Sequence, residues 1–201
     1  MLVSEQLYPE ERQYIERAVE ARRAQFGTAR VSARRALARL GVAPCALVPN
    51  LDRSPRWPPG ITGSIAHTER HCAVVLTDAH GIAAIGLDFE SDAPLRAGVE
   101  DVVCTESEQS WLESFDRRAM TWLGALVFSA KEAFYKCQYS VTQTMLDFKD
   151  VELTFDLEAG RFAVANLRAG VPQRSRVLRI EGRACRAPEL VVTTATLVGA
   201  I

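Results

Sequence analysis

Charged side chains suited to handling phosphate groups are concentrated in residues 128–136, which read Phe-Ser-Ala-Lys-Glu-Ala-Phe-Tyr-Lys. Lys131, Glu132 and Lys136 fall within little more than two turns of a predicted helix. Lysine is scarce in this chain, so two lysines this close together indicate positions where a compact ammonium is preferred to the planar guanidinium of arginine. Glu132 and Lys136 are also spaced i, i+4, an arrangement that stabilises any ordinary helix.

An acidic pair lies upstream of this segment. Asp88 and Glu90 flank Phe89 at the end of an apolar run. Alternate residues of a strand face the same side, about 6.5–7 Å apart, so the two carboxylates can share one hard cation. Magnesium prefers such oxygen ligands, although acids are also common at solvated strand ends. With Glu132 the set becomes three carboxylates beside two ammonium groups, which suits a metal ion and a phosphorylated ligand.

Basic residues are concentrated near the N-terminus, where residues 12–39 hold eight arginines although the formal net charge is −1. For most of these arginines a solvated helix face is the simpler interpretation. His67 lies in a predicted loop of small residues, where it could reach a ligand, although a lone histidine is more often structural. Arg53 and Trp57 lie in a proline-rich loop and could clamp a nucleotide, while Trp57 is equally suited to anchoring a core. The arginines considered are Arg22, Arg23, Arg30, Arg34 and Arg35.

The composition limits the classes of protein to which this chain could belong. The 201 residues, 48% hydrophobic and 24% charged, allow one large domain or two small lobes. Five cysteines without paired spacing predict reduced thiols in the cytoplasm rather than disulfides or a zinc site. The charged N-terminus predicts no signal peptide, and no apolar run approaches the ~20 residues that span a membrane. A balanced charge argues against a nucleic-acid-binding protein.

Helices, loops and strands must position these residues. Helical spacing follows Pro9, and a second helix is predicted over residues 31–40, with Gly41 placed to end it. Five prolines predict an extended loop over residues 42–63. The apolar runs 72–76 and 82–87 are separated by turn residues and predict a hairpin.

The second half of the chain repeats the order of helices followed by strands. Residues 105–108 match a capping box that opens a helix, and a longer helix is predicted over residues 119–136. Strands are predicted at residues 151–155, 161–164, 177–180 and 190–197. The predicted fold class is α+β, with two lobes at residues 1–95 and 96–201 joined near residues 90–98. The basic helices and loop belong to the first lobe, the Lys-Glu helix belongs to the second, and the metal site falls at their junction.

The motifs together resemble the 4′-phosphopantetheinyl transferases of the Sfp/EntD-like type. That family carries G-[IV]-D-x-E and, about forty residues later, [WF]-[ST]-x-K-E-[AS]-x-x-K, which match residues 86–90 and 128–136. Residues 57–67 and 26–37 resemble its siderophore-synthetase branch, so the resemblance spans roughly residues 22–155. The departures are Leu87 for isoleucine or valine, a bulky Phe89, and Ala66 where serine is frequent.

The resemblance implies magnesium-dependent transfer of the phosphopantetheine arm of coenzyme A to a serine of an apo carrier protein, releasing 3′,5′-ADP. It implies two similar α+β lobes that form a pseudo-dimer with the active site between them, and two lobes in one chain predict a monomer. Siderophore, polyketide, nonribosomal-peptide and fatty-acid carriers all fit this chemistry. The implied magnesium ligands are Asp88, Glu90 and Glu132. The implied catalytic residues are Glu132 as general base, or a metal-bound water in its place, with Lys131 and Lys136 neutralising the pyrophosphate. The implied coenzyme A contacts are Arg30, His67, Arg22, Arg53 and the same two lysines.

Two other functions are compatible with the residues. A magnesium-dependent nuclease or phosphohydrolase could use the same carboxylates, but we would expect a more basic surface for it. A catalytically silent module that binds coenzyme A or a carrier protein would have little need for all three carboxylates.

Overall fold

The computed structural model describes residues 6–78 and 80–199, except for the side chains of residues 117–119. The chain forms two compact units, which divide between His80 and Gly81. The predicted boundary at residues 95 and 96 lies later, within the second unit. The difference arises because the strand Ile82–Ser91 pairs with a strand from the C-terminal end of the chain. Residues 1–5, 200 and 201 of the predicted lobes lie outside the described residues.

The first unit contains two helices and a hairpin. Helix α1 is Pro9–Ile15, α2 is Glu20–Arg39, β1 is Thr62–His67 and β2 is Cys72–Thr77. Proline lies in the first turn of α1, as predicted, since its missing N–H has no partner to lose there. Helix α2 begins eleven residues before the predicted Val31, and Gly41 follows its end at φ 73°. Residues 42–61 form the predicted extended loop.

The predicted hairpin between residues 72–76 and 82–87 is wrong. Strand β2 pairs with β1, from Thr62↔Thr77 to His67↔Cys72, so the segment around His67 is a strand and not a loop. An apolar β-branched run predicts a strand, but it does not identify the neighbour that completes its hydrogen bonds. Ala79, in the predicted turn, lies outside the described residues.

The second unit begins with β3 (Ile82–Ser91), which is followed by three successive α-helices and then by four more strands with a fourth α-helix among them. The helices are α3 (Val99–Val103), α4 (Glu106–Glu113) and α5 (Arg117–Thr142), with a 3₁₀ helix at Phe148–Asp150. The later elements are β4 (Val151–Asp156), β5 (Arg161–Leu167), α6 (Arg174–Val177), β6 (Glu181–Ala187) and β7 (Leu190–Val198). Strands β3 to β7 form one antiparallel sheet in the order β3-β7-β6-β5-β4. Mixed helix and sheet agree with the predicted α+β class. None of the described helices is long and apolar enough to cross a membrane.

Two sequence predictions for this unit need correction. Residues 177–180 are not a strand, because α6 ends at Val177 and turns follow it. Val177 and Ile180 are buried in the core, so their apolar character reflects packing and not strand alternation. Strand β6, which carries several charged residues, was missed. Helix α5 also continues six residues past Lys136, to Thr142.

Helix α5 packs against β3 through Gly86. A Cβ atom on Gly86 would lie 2.9 Å from the backbone nitrogen of Cys137 and closer still to the carbonyl oxygen of Ala133. Glycine is therefore required for the strand and helix backbones to approach this closely. The contact brings the end of β3, with its carboxylates, against the α5 turns that carry Glu132 and Lys136.

Each unit holds the same buried polar arrangement. Glu11 of α1 and Glu108 of α4 each accept a hydrogen bond from the backbone N–H three residues earlier, at 3.0 and 2.8 Å. Each also pairs with a cation 23 residues later on the following long helix, Arg34 or Lys131, at 2.6 Å. Each accepts a third bond, at 2.8 Å, from a backbone N–H after that helix. The two units therefore share this arrangement, with the same spacing of 23 residues between carboxylate and cation.

Candidate active site

The predicted acidic residues meet Lys136 where β3 lies against α5. Asp88 is 6% exposed, and its Oδ1 accepts a hydrogen bond from Lys136 Nζ at 2.6 Å. Lys136 also donates to the backbone oxygen of Leu87 at 3.1 Å. Two bonds from one ammonium to adjacent residues of β3 fix the end of the strand against the helix, and the charge-assisted bond is the stronger of the two.

Glu90 and Glu132 complete the cluster, which we call the acidic cluster: Asp88, Glu90 and Glu132 around Lys136. Burial, followed by the carboxylates of Asp88 and Glu132, raises the pKa of Glu90 to about 7, while Lys136 acts to lower it. Burial also raises the pKa of Glu132, with Lys136 acting against the shift and Asp88 adding to it. Three carboxylates that disfavour one another's charge beside a single lysine attract a cation.

The donors of the acidic cluster are of the type that magnesium prefers, since all are carboxylate oxygens. Among the described residues, however, no three acidic, histidine or cysteine side chains are grouped so that they could hold a metal ion. Asp88 Oδ1 is engaged by Lys136 in this arrangement. The carboxylate oxygens are therefore of the right type for Mg²⁺, but the side chains of the acidic cluster are not arranged as a coordination shell.

The structure does not bring Lys131 to the acidic cluster. Its side chain is 1% exposed and its Nζ lies 2.6 Å from Glu108 Oε2. The same ammonium donates to the backbone oxygens of Val103, Phe148 and Val151 at 2.8, 2.9 and 3.0 Å. An ammonium has three protons, so these acceptors exhaust its donors. The predicted contact with pyrophosphate is not supported for Lys131, because its charge is already compensated inside the unit.

Helical spacing separates the two lysines. At about 100° per residue, Lys131 points about 140° away from Lys136, whereas Glu132 and Lys136 share a face. Glu108, the partner of Lys131, was identified in the sequence only as part of a capping box. Because it lies 23 residues away, no local spacing rule could have paired it with Lys131.

A pocket of about 210 Å³ opens beside Glu132. One wall is α5, and the other is the segment of residues 145–151, which includes the 3₁₀ helix. Its lining is mostly apolar, so the pocket suits an uncharged chain rather than a phosphate. The lining residues are Lys131, Glu132, Phe134, Tyr135, Met145, Leu146, Asp147, Phe148 and Val151.

The first unit gathers the four other predicted ligand contacts. Arg22, Arg30, Arg53 and His67 all line one pocket of about 370 Å³, which we call the basic pocket. His67 reaches it from the end of β1, and Arg22 and Arg30 reach it from α2. Arg53 lies in the proline-rich loop at φ 70°, a left-handed conformation that arginine seldom adopts. Two of the arginines lie eight residues apart on α2, which is the spacing of one helix face.

Arg30 is the most constrained residue of the basic pocket. It is 6% exposed, its Nε donates to the backbone oxygen of Leu47 at 2.6 Å, and its guanidinium lies 4.1 Å from the ring centre of Phe26. Burial lowers the pKa of Arg30 to about 10, with Glu11 acting against the shift and Arg22 adding to it. Arg30 therefore stays charged at neutral pH, and an anion bound in the pocket would compensate for its desolvation.

Both units match sequence models of known families. Residues 10–77 match the 4′-phosphopantetheinyl transferase N-terminal domain, and residues 84–192 match the 4′-phosphopantetheinyl transferase superfamily. The gap between the two matches contains the division at His80 and Gly81.

Three characterised proteins are similar over most of the chain, and each is named a 4′-phosphopantetheinyl transferase. Svp of Streptomyces mobaraensis is 39% identical over 189 residues, covering 93% of this chain and 77% of Svp. Npt of Nocardia iowensis is 37% identical over 153 residues, covering 76% and 68%. PptT of Mycobacterium tuberculosis is 34% identical over 158 residues, covering 77% and 69%.

Proposed function

This chain belongs to the 4′-phosphopantetheinyl transferase superfamily, and we propose that it transfers the phosphopantetheine arm of coenzyme A to a serine hydroxyl of an apo carrier protein, releasing 3′,5′-ADP. The observation that carries this proposal is the acidic cluster, in which three mutually repelling carboxylates surround the ammonium of Lys136. Transfer of a phosphoryl-linked group depends mainly on alignment and charge stabilisation, and this cluster supplies groups for both.

Glu132 is the proposed general base. Its raised pKa makes it a better proton acceptor than an ordinary glutamate. It would remove the proton of the incoming serine as the serine oxygen attacks the β-phosphorus of the coenzyme A pyrophosphate. The bond from that phosphorus to the bridging oxygen breaks, and 3′,5′-ADP leaves. Lys136 would stabilise the negative charge that develops on the leaving phosphate.

Asp88, Glu90 and Glu132 are the proposed ligands of Mg²⁺. When bound, the ion would neutralise the pyrophosphate and help to align it. Without metal, Glu90 is partly protonated near neutral pH, because burial and then the charges of Asp88 and Glu132 raise its pKa to about 7.

The basic pocket is the proposed site for the phosphorylated nucleoside end of coenzyme A. Arg30 and Arg22 supply fixed charge, and Arg53 and His67 line the same space. The mostly apolar pocket beside Glu132 suits the phosphopantetheine arm, which is a chain of alkyl groups and amides. Lys131, for which the family resemblance implied a phosphate contact, lines this pocket but is not proposed as a phosphate ligand.

Two similar lobes arising by duplication remain part of the proposal. In both units a short helix with a capping box, α1 or α4, is followed by a long helix, α2 or α5, and then by antiparallel strands. The repeated spacing of 23 residues between Glu11 and Arg34, and between Glu108 and Lys131, supports a common origin. A pseudo-dimer within one chain, active as a monomer in the cytoplasm, is the arrangement that we propose.

The test is intact-mass spectrometry of an apo carrier protein incubated with this protein, coenzyme A and Mg²⁺. We expect the carrier to gain one phosphopantetheine mass, and the gain to disappear with a chelator and return with added Mg²⁺. Apo carriers from siderophore, polyketide and fatty-acid systems should be tried in parallel. Coenzyme A binding without a mass gain on any carrier would contradict transfer and indicate a binding module. Hydrolysis of DNA without coenzyme A would indicate the nuclease alternative.

A further inference from the structure

Lys131 and Glu108 form a buried ion pair that the transfer chemistry above does not use. We propose that this pair is a positioning device, which holds the 145–151 wall of the pocket at the distance from Glu132 that transfer requires. Lys131 is thus a positioning residue and not a phosphate ligand. The expected effect on kcat rests on the proposed function, whereas the restraint on residues 145–151 can be tested without any turnover.

The ammonium of Lys131 joins four separate segments of the second unit. Its partners are Glu108 on α4, Val103 at the end of α3, Phe148 in the 3₁₀ helix and Val151 at the start of β4. Each is within 3.0 Å of Nζ, and the side chain is almost fully buried. A cation with several short bonds in a desolvated site restrains all of its partners, because losing any one of them leaves buried polar groups unpaired.

Glu108 completes the restraint on the same wall. Its Oε1 accepts a hydrogen bond from the backbone N–H of Leu153 at 2.8 Å, and its Oε2 accepts one from Thr105. The pair therefore holds β4 twice, through Val151 and through Leu153. Because Phe148 and Val151 also line the pocket beside Glu132, a shift of the pair would change the width of that pocket.

A contribution to stability does not explain why a buried ion pair occupies this position. Replacing a buried ion pair with apolar residues is often neutral or stabilising, so stability gives little reason to keep it. Fixing the geometry of a pocket wall gives a stronger reason. Lys131 immediately precedes Glu132 on α5, so the cation that holds the wall and the proposed base move as one rigid helical unit.

The chain offers a matched control in the first unit. Glu11 and Arg34 have the same spacing and the same three kinds of bond as Glu108 and Lys131. Glu11 holds the backbone N–H of Leu47, whose carbonyl accepts the bond from Arg30, so this pair supports Arg30 in the basic pocket. Disrupting this second pair should disturb folding to a comparable degree but act on a different step.

The experiment compares Lys131→Met, Glu108→Gln and the double variant with Arg34→Met, using wild-type protein as reference. Thermal unfolding establishes that each variant folds, and Glu108→Gln, the mildest change, is the variant to rely on if Lys131→Met does not fold. We expect kcat to fall at least about tenfold in each of the first three, with a smaller rise in KM for coenzyme A, because the displaced wall also lines the pocket proposed for the coenzyme A arm. The double variant should be no slower than the slower single variant, since both changes break one interaction. Arg34→Met should leave kcat within about threefold and raise KM instead.

A second measurement separates this inference from the proposed function. Amide hydrogen exchange of residues 148–153 should speed up in Lys131→Met and Glu108→Gln but not in Arg34→Met, whether or not the wild-type protein transfers anything. Unchanged exchange in that segment would overturn the positioning role. A second result would also overturn it: KM or the dissociation constant for coenzyme A rises more than tenfold in Lys131→Met while Glu108→Gln behaves as wild type. That pattern would identify Lys131 as a phosphate ligand. If Arg34→Met lost as much kcat as Lys131→Met, the loss would reflect general destabilisation, and the positioning role would also be overturned.

Discussion

Replacing Gly86 with alanine tests the packing that assembles the acidic cluster. The new Cβ would point into the backbone of α5, between the carbonyl of Ala133 and the nitrogen of Cys137. These two residues directly follow Glu132 and Lys136. Backbone atoms cannot rotate away as a side chain can, so α5 and β3 must move apart.

The size of the displacement follows from the contacts. The Cβ would lie 2.9 Å from Cys137 N, at least about 0.5 Å short of ordinary contact, and the carbonyl oxygen of Ala133 demands a larger shift. Overpacking of this kind lowers the free energy of unfolding by about 1–3 kcal/mol. For a chain of this size the melting temperature should fall by about 2–12 °C. Misplacing catalytic groups by about 1 Å can lower turnover about 100-fold.

The assay pairs thermal unfolding with the rate of carrier modification, measured below the melting temperature of the variant. Gly124→Ala is the matched control, because it adds the same methyl group to the same helix. There the Cβ would approach Glu100 Oε1 at 2.7 Å, the end of a flexible side chain that can move aside. Alanine also favours a helix interior over glycine by up to about 1 kcal/mol. We expect Gly124→Ala to melt no lower than wild type and to remain active.

Two outcomes would refute this reasoning. Wild-type turnover in Gly86→Ala with a lowered melting temperature would show that the strand–helix distance does not set the geometry of the cluster. An unchanged melting temperature would show that the backbones are not in close contact at Gly86.

The remaining predictions concern single charged groups. Glu132→Gln should abolish transfer while keeping the melting temperature near wild type and coenzyme A binding measurable by calorimetry; wild-type turnover would remove Glu132 from its role. Arg30→Ala should raise KM for coenzyme A more than it lowers kcat, and an unchanged KM would exclude Arg30 from the binding site. The folded-state pKa of Glu90, about 7, lies above its ordinary 4.5, so the folded state holds this proton more tightly than the unfolded state does. Its stabilising contribution is therefore complete below about pH 4.5 and is lost as pH rises through about 7. In metal-free buffer, the melting temperature of the wild-type protein should therefore fall as pH rises across that range. The fall should be smaller in Glu90→Gln or with added Mg²⁺. If Glu90→Gln shows a fall of the same size, groups other than Glu90 cause it.

Local signals in the sequence were reliable where a few neighbouring residues decide the outcome. Proline in the first turn of α1, the capping box before α4 and Gly41 after α2 each act within one turn of helix. The acidic pair and the Lys-Glu segment were also recognisable, because their chemistry depends on residue type and short spacing. Helix ends were less predictable, since α5 extends to Thr142 through packing of its buried face.

The amino-acid sequence alone thus predicted the main helices and several strands of this protein, the residue types of its site and the family that it resembles, but it missed β1 and β6. The tertiary structure decided which strands pair and which charges meet. Strand β2 pairs with β1, β3 pairs with β7, and Lys131 pairs with Glu108 while Lys136 pairs with Asp88. The physical reason is range. Capping and helical spacing act over three or four residues, whereas strand partners and buried ion pairs form between residues distant in sequence, where burial and not local preference selects the partner.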